Sequence, residues 1–195
     1  MDAMKQKLKE FLSSRQKQHI TETTLKPSAV LVPLFYTQGQ YHILFTRRTE
    51  KVKDHKGQIS FPGGAYEKGD RTLLETALRE TAEEIGLKSR DVEVLGELDD
   101  TPSLTSKYAI SPFVGLIPWP YKFEANYDET DEIIKVPISA LLDNKCHYEE
   151  TETYDGKRVN TYFYRYQGRV IWGATGRILH QLLEIITQVI QEYQR

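Results

Sequence analysis

Residues Gly57–Leu87 read GQISFPGGAYEKGDRTLLETALRETAEEIGL, and this stretch decides the fold. Its last third packs four charged residues into about one and a half helical turns: Arg79, Glu80, Glu83 and Glu84. Like-charged carboxylates three or four residues apart repel each other by ~0.2–0.5 kcal/mol per pair on an isolated helix. A positive charge is expected to offset this repulsion, and a divalent cation that prefers oxygen ligands is the simplest candidate.

Turn and cap signals frame the acidic segment. Thr72, followed three residues later by Glu75, predicts a capping box that opens a helix, and Gly86 predicts the end of that helix. The Phe-Pro-Gly-Gly run before it ends in Gly63 and Gly64, which allow the backbone to turn sharply and to approach a ligand closely. The sequence therefore predicts a glycine loop leading into an acidic helix.

The acidic residues occupy one side of this helix. On a helical wheel Glu80, Glu83 and Glu84 fall within roughly one 100° arc. The opposite side, expected to face the core, carries Leu74, Leu78, Thr81, Ala82 and Ile85. The arc can be a solvated face or a metal site. Unlike its two acidic neighbours, Glu80 has no basic residue four positions away, which favours a ligand role.

The composition is that of an ordinary globular chain. Its 195 residues, 39% hydrophobic and 28% charged, suffice for one good-sized core or at most two small domains. The formal net charge of −2 gives no indication of bulk electrostatic binding of nucleic acid. The single cysteine, Cys146, cannot form an internal disulfide and indicates a reduced, cytoplasmic setting. Apolar runs are too short for a membrane span, and the charged N-terminus does not resemble a signal peptide. A homodimer is compatible with these data.

The patterns predict one α+β domain with a mixed sheet between helices. Within residues 1–22, Leu8, Phe11 and Leu12 at helical spacing predict an amphipathic helix packed on the domain formed by residues 23–195. The expected strands span residues 29–36, 41–47, 58–61, 92–98, 109–116 and 132–136, then a hairpin at 149–154 and 158–166. A final helix is expected over 174–193.

The glycine loop and acidic helix together resemble the Nudix box, G-x5-E-x7-R-E-U-x-E-E-x-G-U with U aliphatic. The matching residues are Gly64, Asp70, Arg79, Glu80, Glu83, Glu84, Gly86 and Leu87. Asp70 replaces the first glutamate, with eight rather than seven residues before Arg79, and Thr81 replaces an aliphatic residue. The resemblance implies a Nudix α/β/α sandwich with a mixed central sheet. It also implies metal-dependent hydrolysis of a nucleoside diphosphate linked to another moiety.

The same resemblance implies roles for individual residues. Mg²⁺ or Mn²⁺ would be held by the carboxylates of Glu80, Glu83 and Glu84 and by the backbone carbonyl of Gly64. Glu80 would thereby serve catalysis, and Arg79 would orient Glu83. This assignment favours the metal site over a solvated helix face.

A general base for the attacking water has several candidates. Residues 125–137, ANYDETDEIIKVP, resemble a family segment N-x-x-E-V and put Glu129 in the matching position. Glu132 or a glutamate of the box are alternatives, and the acidic loop can also be a solvated surface. The resemblance implies that Glu129 is the base.

Upstream residues narrow the substrate. Residues 44–64, LFTRRTEKVKDHKGQISFPGG, resemble the signature of the coenzyme A diphosphatase branch, L-L-T-x-R-[SA]-x3-R-x3-G-x3-F-P-G-G. Thr49 stands where serine or alanine is usual, and Lys53 where arginine is usual. Strand alternation puts Arg47 on the face opposite Arg48. By this register the substrate would contact Arg48, Lys53, Phe61, Gly63 and Gly64.

The implied reaction is hydrolysis of the diphosphate of coenzyme A, or of its derivatives, to adenosine 3′,5′-bisphosphate and 4′-phosphopantetheine. Two other functions stay open. One is a Nudix diphosphatase acting on ADP-ribose, NADH or dinucleoside polyphosphates. The other is a catalytically inactive Nudix module that senses a nucleotide. In each case the partner is a small nucleotide, with no nucleic acid and no membrane.

Overall fold

A mixed sheet forms the centre of the chain in a computed structural model that describes residues 3–22, 24–51, 56–154 and 157–193. Its eight strands within these ranges are β1 Lys26–Thr37, β2 Gln40–Arg48, β3 Ile59–Ser60, β4 Gly63–Ala65, β5 Glu93–Glu97, β6 Thr101–Pro102, β7 Tyr108–Leu116 and β8 Thr130–Pro137. The order is β3-β2-β1-β7-β5, with β4 beside β1, β6 beside β7 and β8 beside β2. β1 and β7 run parallel and the other pairs antiparallel, so the predicted mixed sheet is confirmed.

Three further strands form a separate antiparallel sheet: β9 His147–Tyr154, β10 Lys157–Tyr166 and β11 Arg169–Ile171. The sequence predicted the β9–β10 hairpin but not that it leaves the main sheet, and the turn at residues 155–156 lies outside the described residues. The helices are α1 Ala3–Ser14, α2 Leu73–Ile85, α3 Ile138–Leu141 and α4 Gly173–Tyr193. No helix in the described ranges has the length and hydropathy needed to cross a membrane.

Helices cover both faces of the main sheet because apolar side chains alternate along β1 and β2. On one face, Leu34 and Phe45 pack in a core cluster with residues of α1 and α4. On the other face, Leu31 and Leu44 pack with Ala77 of α2. This arrangement is the predicted α/β/α sandwich, and it leaves the acidic side of α2 close to the ends of the central strands.

Both predicted ends of α2 are confirmed. The Thr72 hydroxyl accepts the backbone N–H of Glu75 at 3.1 Å, so one donor that the first helical turn leaves unpaired is satisfied. Gly86 ends the helix in the left-handed region at φ 70°, where its N–H donates to the carbonyl of Ala82 at 2.9 Å. These caps fix the register of the acidic residues relative to the glycine loop.

The helix predicted within residues 1–22 spans Ala3–Ser14. Leu8 and Leu12 are buried in the core cluster that α1 shares with α4. A Cβ atom on Gly96 of β5 would lie 2.5 Å from the Leu12 Cβ, so helix and strand are in close contact. After the helix, Arg15 contacts Asp99 at 2.6 Å.

We expect Leu12→Ala to lower the free energy of unfolding by ~2–5 kcal/mol, because it leaves a cavity between α1 and β5. Urea unfolding followed by circular dichroism measures the change. Ser13→Ala, at an exposed position on the same helix, is the matched control. An unchanged unfolding midpoint for Leu12→Ala would show that α1 adds nothing to the core.

Candidate active site

The most buried charge of the site is Glu84, whose side chain comes from the last turn of α2 and is only 3% exposed. Its carboxylate accepts the backbone N–H of Gly63, lies 3.5 Å from the Thr46 hydroxyl and lies 3.9 Å from Nη1 of Arg48. Burial raises the pKa of Glu84 to about 8, although Arg48 and the Gly63 N–H oppose the shift. The acidic arc, which the sequence left open between a solvated face and a metal site, is therefore buried at Glu84, beside Thr46 and Arg48 at the end of β2.

Glu80 lies one turn earlier and faces the glycine loop. A Cβ atom on Gly64 would come within 2.4 Å of the Glu80 carboxyl carbon, so only glycine leaves room for this carboxylate. Burial raises the pKa of Glu80, against the opposing effect of Arg79. Although no basic residue stands four positions away, Nη1 of the adjacent Arg79 lies 3.0 Å from Glu80 Oε1. Glu80 is therefore paired, contrary to the expectation from helical spacing.

Arg79 joins the acidic residues into one network. Its Nη1 donates to Glu80 at 3.0 Å and to Glu83 at 3.2 Å, which confirms the predicted Arg79–Glu83 contact. Its Nε and Nη2 donate to the two carboxylate oxygens of Asp70 at 2.9 and 3.1 Å. Such two-point pairs fix the plane of the guanidinium.

Asp70 holds Arg79 from the side opposite the glutamates. Hydrogen bonds from Arg79 hold the pKa of Asp70 well below its usual range, and the Thr76 hydroxyl donates to the same carboxylate at 2.8 Å. In the sequence, Asp70 is recognisable only as a departure from the box, and its support of Arg79 becomes visible in the fold. The signal was its position at the place of the first box glutamate.

The residues predicted to bind substrate have different environments. Arg48 faces Glu84, whereas Arg47 lies on the other face and contacts Asp131 and, at 3.6 Å, Glu132. The opposite orientations expected for the two arginines are thus observed. Lys53 lies outside the described residues.

Phe61 and Gly63 lie against the central sheet, Phe61 on β2 and Gly63 on β1. Phe61 is 2% exposed and stacks on Phe45 at 4.7 Å, so its predicted contact with substrate is wrong because the ring is part of the core. Gly63 has φ 152°, and a Cβ atom there would lie 2.3 Å from the carbonyl oxygen of Ala29 on β1. A side chain is therefore excluded, and its N–H is directed at Glu84.

Glu129 and Glu132, the two acidic residues near this loop that are candidates for the general base, lie in different environments. Glu129 is exposed, and its charge contributes to the raised pKa values of both Glu80 and Glu84, so it lies on their side of the sheet. Glu132 contacts Arg169 at 2.5 Å and pairs in register with Arg47 on the opposite face. This geometry favours Glu129 over Glu132.

The carboxylate and carbonyl oxygens at this site suit a hard divalent cation. Glu80 and Glu84 are poorly solvated, and the charge of Glu80 contributes to the raised pKa of Glu84. A cation between them would offset the repulsion of the two carboxylates. In the part of the chain that the structure describes, no three His, Cys, Asp or Glu side chains already converge as a metal site. Glu83 is exposed and turned toward Arg79, so its ligand role stays a prediction.

Residues 25–150 match the NUDIX domain family. The chain belongs to the Nudix family. Over 157 residues it is 36% identical to a protein of Photorhabdus laumondii named Uncharacterized Nudix hydrolase NudL, covering 80% of this chain and 83% of that protein. The protein of the same name from Pectobacterium atrosepticum is 37% identical over 157 residues, covering 80% and 81%.

Solved structures support the same Nudix fold. A MutT/nudix family protein from Enterococcus faecalis superposes with a TM-score of 0.54 at 18% identity, covering 93% of this chain and 69% of that one. The MutT protein from Methanosarcina mazei Go1 gives 0.51 at 17% identity, covering 93% and 100%. The predicted enzyme class, a Nudix pyrophosphohydrolase, is confirmed at the level of the family. Members of this family generally use divalent ions such as Mg²⁺ or Mn²⁺.

We expect Mn²⁺ to raise the melting temperature of this Nudix enzyme and Gly64→Ala to abolish that rise, because the new methyl group displaces the Glu80 carboxylate. Thermal unfolding with and without Mn²⁺ measures this effect. Gly69→Ala is the matched control, since no atom lies within 4 Å of a Cβ there. A normal Mn²⁺ response in Gly64→Ala would contradict the fit of a metal beside Glu80.

In metal-free buffer we expect stability to fall as pH rises from about 4.5 to about 8. The pKa of Glu84 is raised from 4.5 to about 8 by folding, so the folded state binds the proton more tightly and loses this advantage as the pH rises. The melting temperature should fall by at least ~2–4 °C, the change that about 1 kcal/mol produces in a domain of this size. Glu84→Gln should flatten this dependence, whereas Glu83→Gln, at an exposed site, should retain it. Parallel curves for all three proteins would refute the buried charge.

Proposed function

We propose that the chain hydrolyses the diphosphate of coenzyme A or its derivatives to adenosine 3′,5′-bisphosphate and 4′-phosphopantetheine. The observation that carries this proposal is the placement of Arg48 beside Glu84, on the strand whose sequence resembles the coenzyme A diphosphatase signature. The Arg48 side chain is 29% exposed, so its guanidinium is accessible from solvent while it lies beside Glu84. A guanidinium in this position is suited to bind a phosphate oxygen.

The basic residues that follow Arg48 favour a substrate with additional phosphate charge. Coenzyme A carries a 3′-phosphate besides its diphosphate, and residues 48–56 contain Arg48, Lys51, Lys53, His55 and Lys56. ADP-ribose and NADH lack that phosphate. This difference supports coenzyme A over these alternatives, which would use the same acidic site.

The side chains divide the chemical work. Attack of water on one phosphorus breaks a bridging P–O bond, and the water must lose a proton as the new bond forms. Glu129, exposed and on the same side as Glu84, would accept that proton. Arg79 would keep Glu80 and Glu83 in place. When bound at Glu80, Glu83, Glu84 and the Gly64 carbonyl, Mg²⁺ or Mn²⁺ would neutralise charge and polarise the diphosphate.

The decisive test compares coenzyme A with dephospho-coenzyme A, which differs only by the 3′-phosphate. With Mg²⁺ or Mn²⁺ and resolved products, we expect kcat/KM for coenzyme A to be at least ~10-fold higher, a difference of about 1.4 kcal/mol. ADP-ribose, NADH and diadenosine tetraphosphate complete the panel. Equal or faster turnover of any substrate without the 3′-phosphate overturns the coenzyme A assignment.

Arg48→Ala should raise KM for coenzyme A by ~10-fold or more, because a charge-assisted bond contributes about 1.5–3 kcal/mol. Arg47→Ala is the matched control, since this neighbour contacts Asp131 on the other face. Equal effects of the two substitutions on KM would argue against a specific role for Arg48.

A further inference from the structure

The loop that carries Glu129 is held by two other elements. From α2, the carbonyl of Glu84 accepts the backbone N–H of Asn126 at 2.9 Å, which satisfies one of the free carbonyls at the helix end. From the residue after β2, the N–H of Thr49 donates to the carbonyl of Glu129 at 2.9 Å. The loop is thus tied both to the helix that carries Glu84 and to the strand that carries Arg48.

The side chains of Thr49 and Asn126 bind the backbone of Asp128, and one further backbone bond holds Glu129. The Thr49 hydroxyl donates to the Asp128 carbonyl at 3.0 Å, and Thr49 is only 6% exposed. The Asn126 Oδ1 accepts the Asp128 N–H at 3.2 Å, and the Asn126 carbonyl accepts the Glu129 N–H at 2.9 Å. Four backbone groups of Asp128 and Glu129 are therefore fixed, two by Thr49 and two by Asn126.

We infer that Thr49 and Asn126 are positioning residues that hold Glu129 at the distance from the Glu84 site that proton transfer requires. The inference rests on the proposed role of Glu129 as general base. Glu129 itself is exposed, so its side chain has little packing to direct it, and its backbone must supply the order. A displacement of ~1 Å at a reacting group can reduce the rate by ~10²-fold.

The Thr49 hydroxyl also links the two halves of the site. Thr49 directly follows Arg48, and its hydroxyl accepts the N–H of Lys51 at 3.3 Å while it donates to Asp128. Lys51 contacts the Asp128 carboxylate at 3.2 Å. Through Thr49, the loop that carries Glu129 is therefore hydrogen-bonded to the segment that carries Arg48 and Lys51.

Thr49→Val and Thr49→Ser form a matched pair, because valine keeps the shape and serine keeps the hydroxyl. With coenzyme A and Mg²⁺ as the probe, we expect Thr49→Val to lower kcat by ~10-fold with KM changed less than ~2-fold, and Thr49→Ser to stay within ~2-fold of the parent. Asn126→Ala should repeat the loss in kcat at an independent position. Melting temperatures of all variants report whether they fold. Normal kcat in both folded Thr49→Val and folded Asn126→Ala overturns the inference.

A double-mutant cycle separates positioning of Glu129 from a general structural effect. In a Glu129→Gln background, itself expected to lose ~10²–10⁴-fold in kcat, Thr49→Val should have no further effect. An undiminished ~10-fold effect in that background, or full activity of Glu129→Gln, overturns the inference. If coenzyme A is not hydrolysed but ADP-ribose is, the proposed substrate fails, and the same cycle run with ADP-ribose still decides the positioning role.

Discussion

The buried carboxylate of Glu84 is the constraint on which the site depends. A charge removed from water is strongly unfavourable unless hydrogen bonds or opposite charge replace the solvent. Among the described residues its partners are the Gly63 N–H, the Thr46 hydroxyl at 3.5 Å and Arg48 at 3.9 Å, and the pKa stays raised to about 8. The fold therefore holds a carboxylate whose charged form is only partly compensated, and this is the condition in which a bound cation gains most.

Two carboxylates of the same segment show how environment assigns role. Asp70 accepts two bonds from Arg79 and one from Thr76, so its pKa is depressed and it stays ionised as a fixed support. Glu84 is buried with weaker partners, so its pKa moves in the opposite direction. Opposed shifts in neighbouring acids are typical of sites where one group supports and the other takes part in chemistry. Sequence spacing alone does not distinguish them.

Local signals in the sequence predicted what depends on near neighbours along the chain. Thr72, Gly86 and the alternation at Arg47–Arg48 are governed by cap and strand geometry within a few residues, and each appears as expected. Phe61 and Glu84 depend on which element packs above them. An aromatic side chain in a glycine loop can face a ligand or the core, and only the contact with Phe45 selects the core.

The sequence could not predict the second sheet or the attachment of Glu129, because both depend on contacts that no local pattern indicates. A hairpin signal predicts that β9 and β10 pair but says nothing about which edge, if any, they extend. The bonds from Thr49 to Asp128 and Glu129 join residues about eighty positions apart, and neither residue carries a pattern that predicts the other. The departures from the family signature drew attention to Thr49, yet only the fold gives its hydroxyl a partner.

Helix α2 provides the common reference for all these groups. Gly64 packs on Glu80 near its middle, the Asn126 N–H binds the carbonyl of Glu84, and the Glu124 N–H binds that of Ile85 at 2.9 Å.

The extra residue between Asp70 and Arg79 leaves the spacing from Arg79 to Glu84 unchanged. Asp70 precedes the Thr72 cap, so an insertion in this part of the chain leaves the acidic side chains in register, and the bonds of Asp70 to Arg79 show that its shorter side chain still reaches. A change of spacing within the helix would instead rotate Glu80 or Glu84 by about 100° away from the site. The position of the helix start thus explains both points: an extra residue after Asp70 is tolerated, whereas the spacing from Arg79 to Glu84 is fixed.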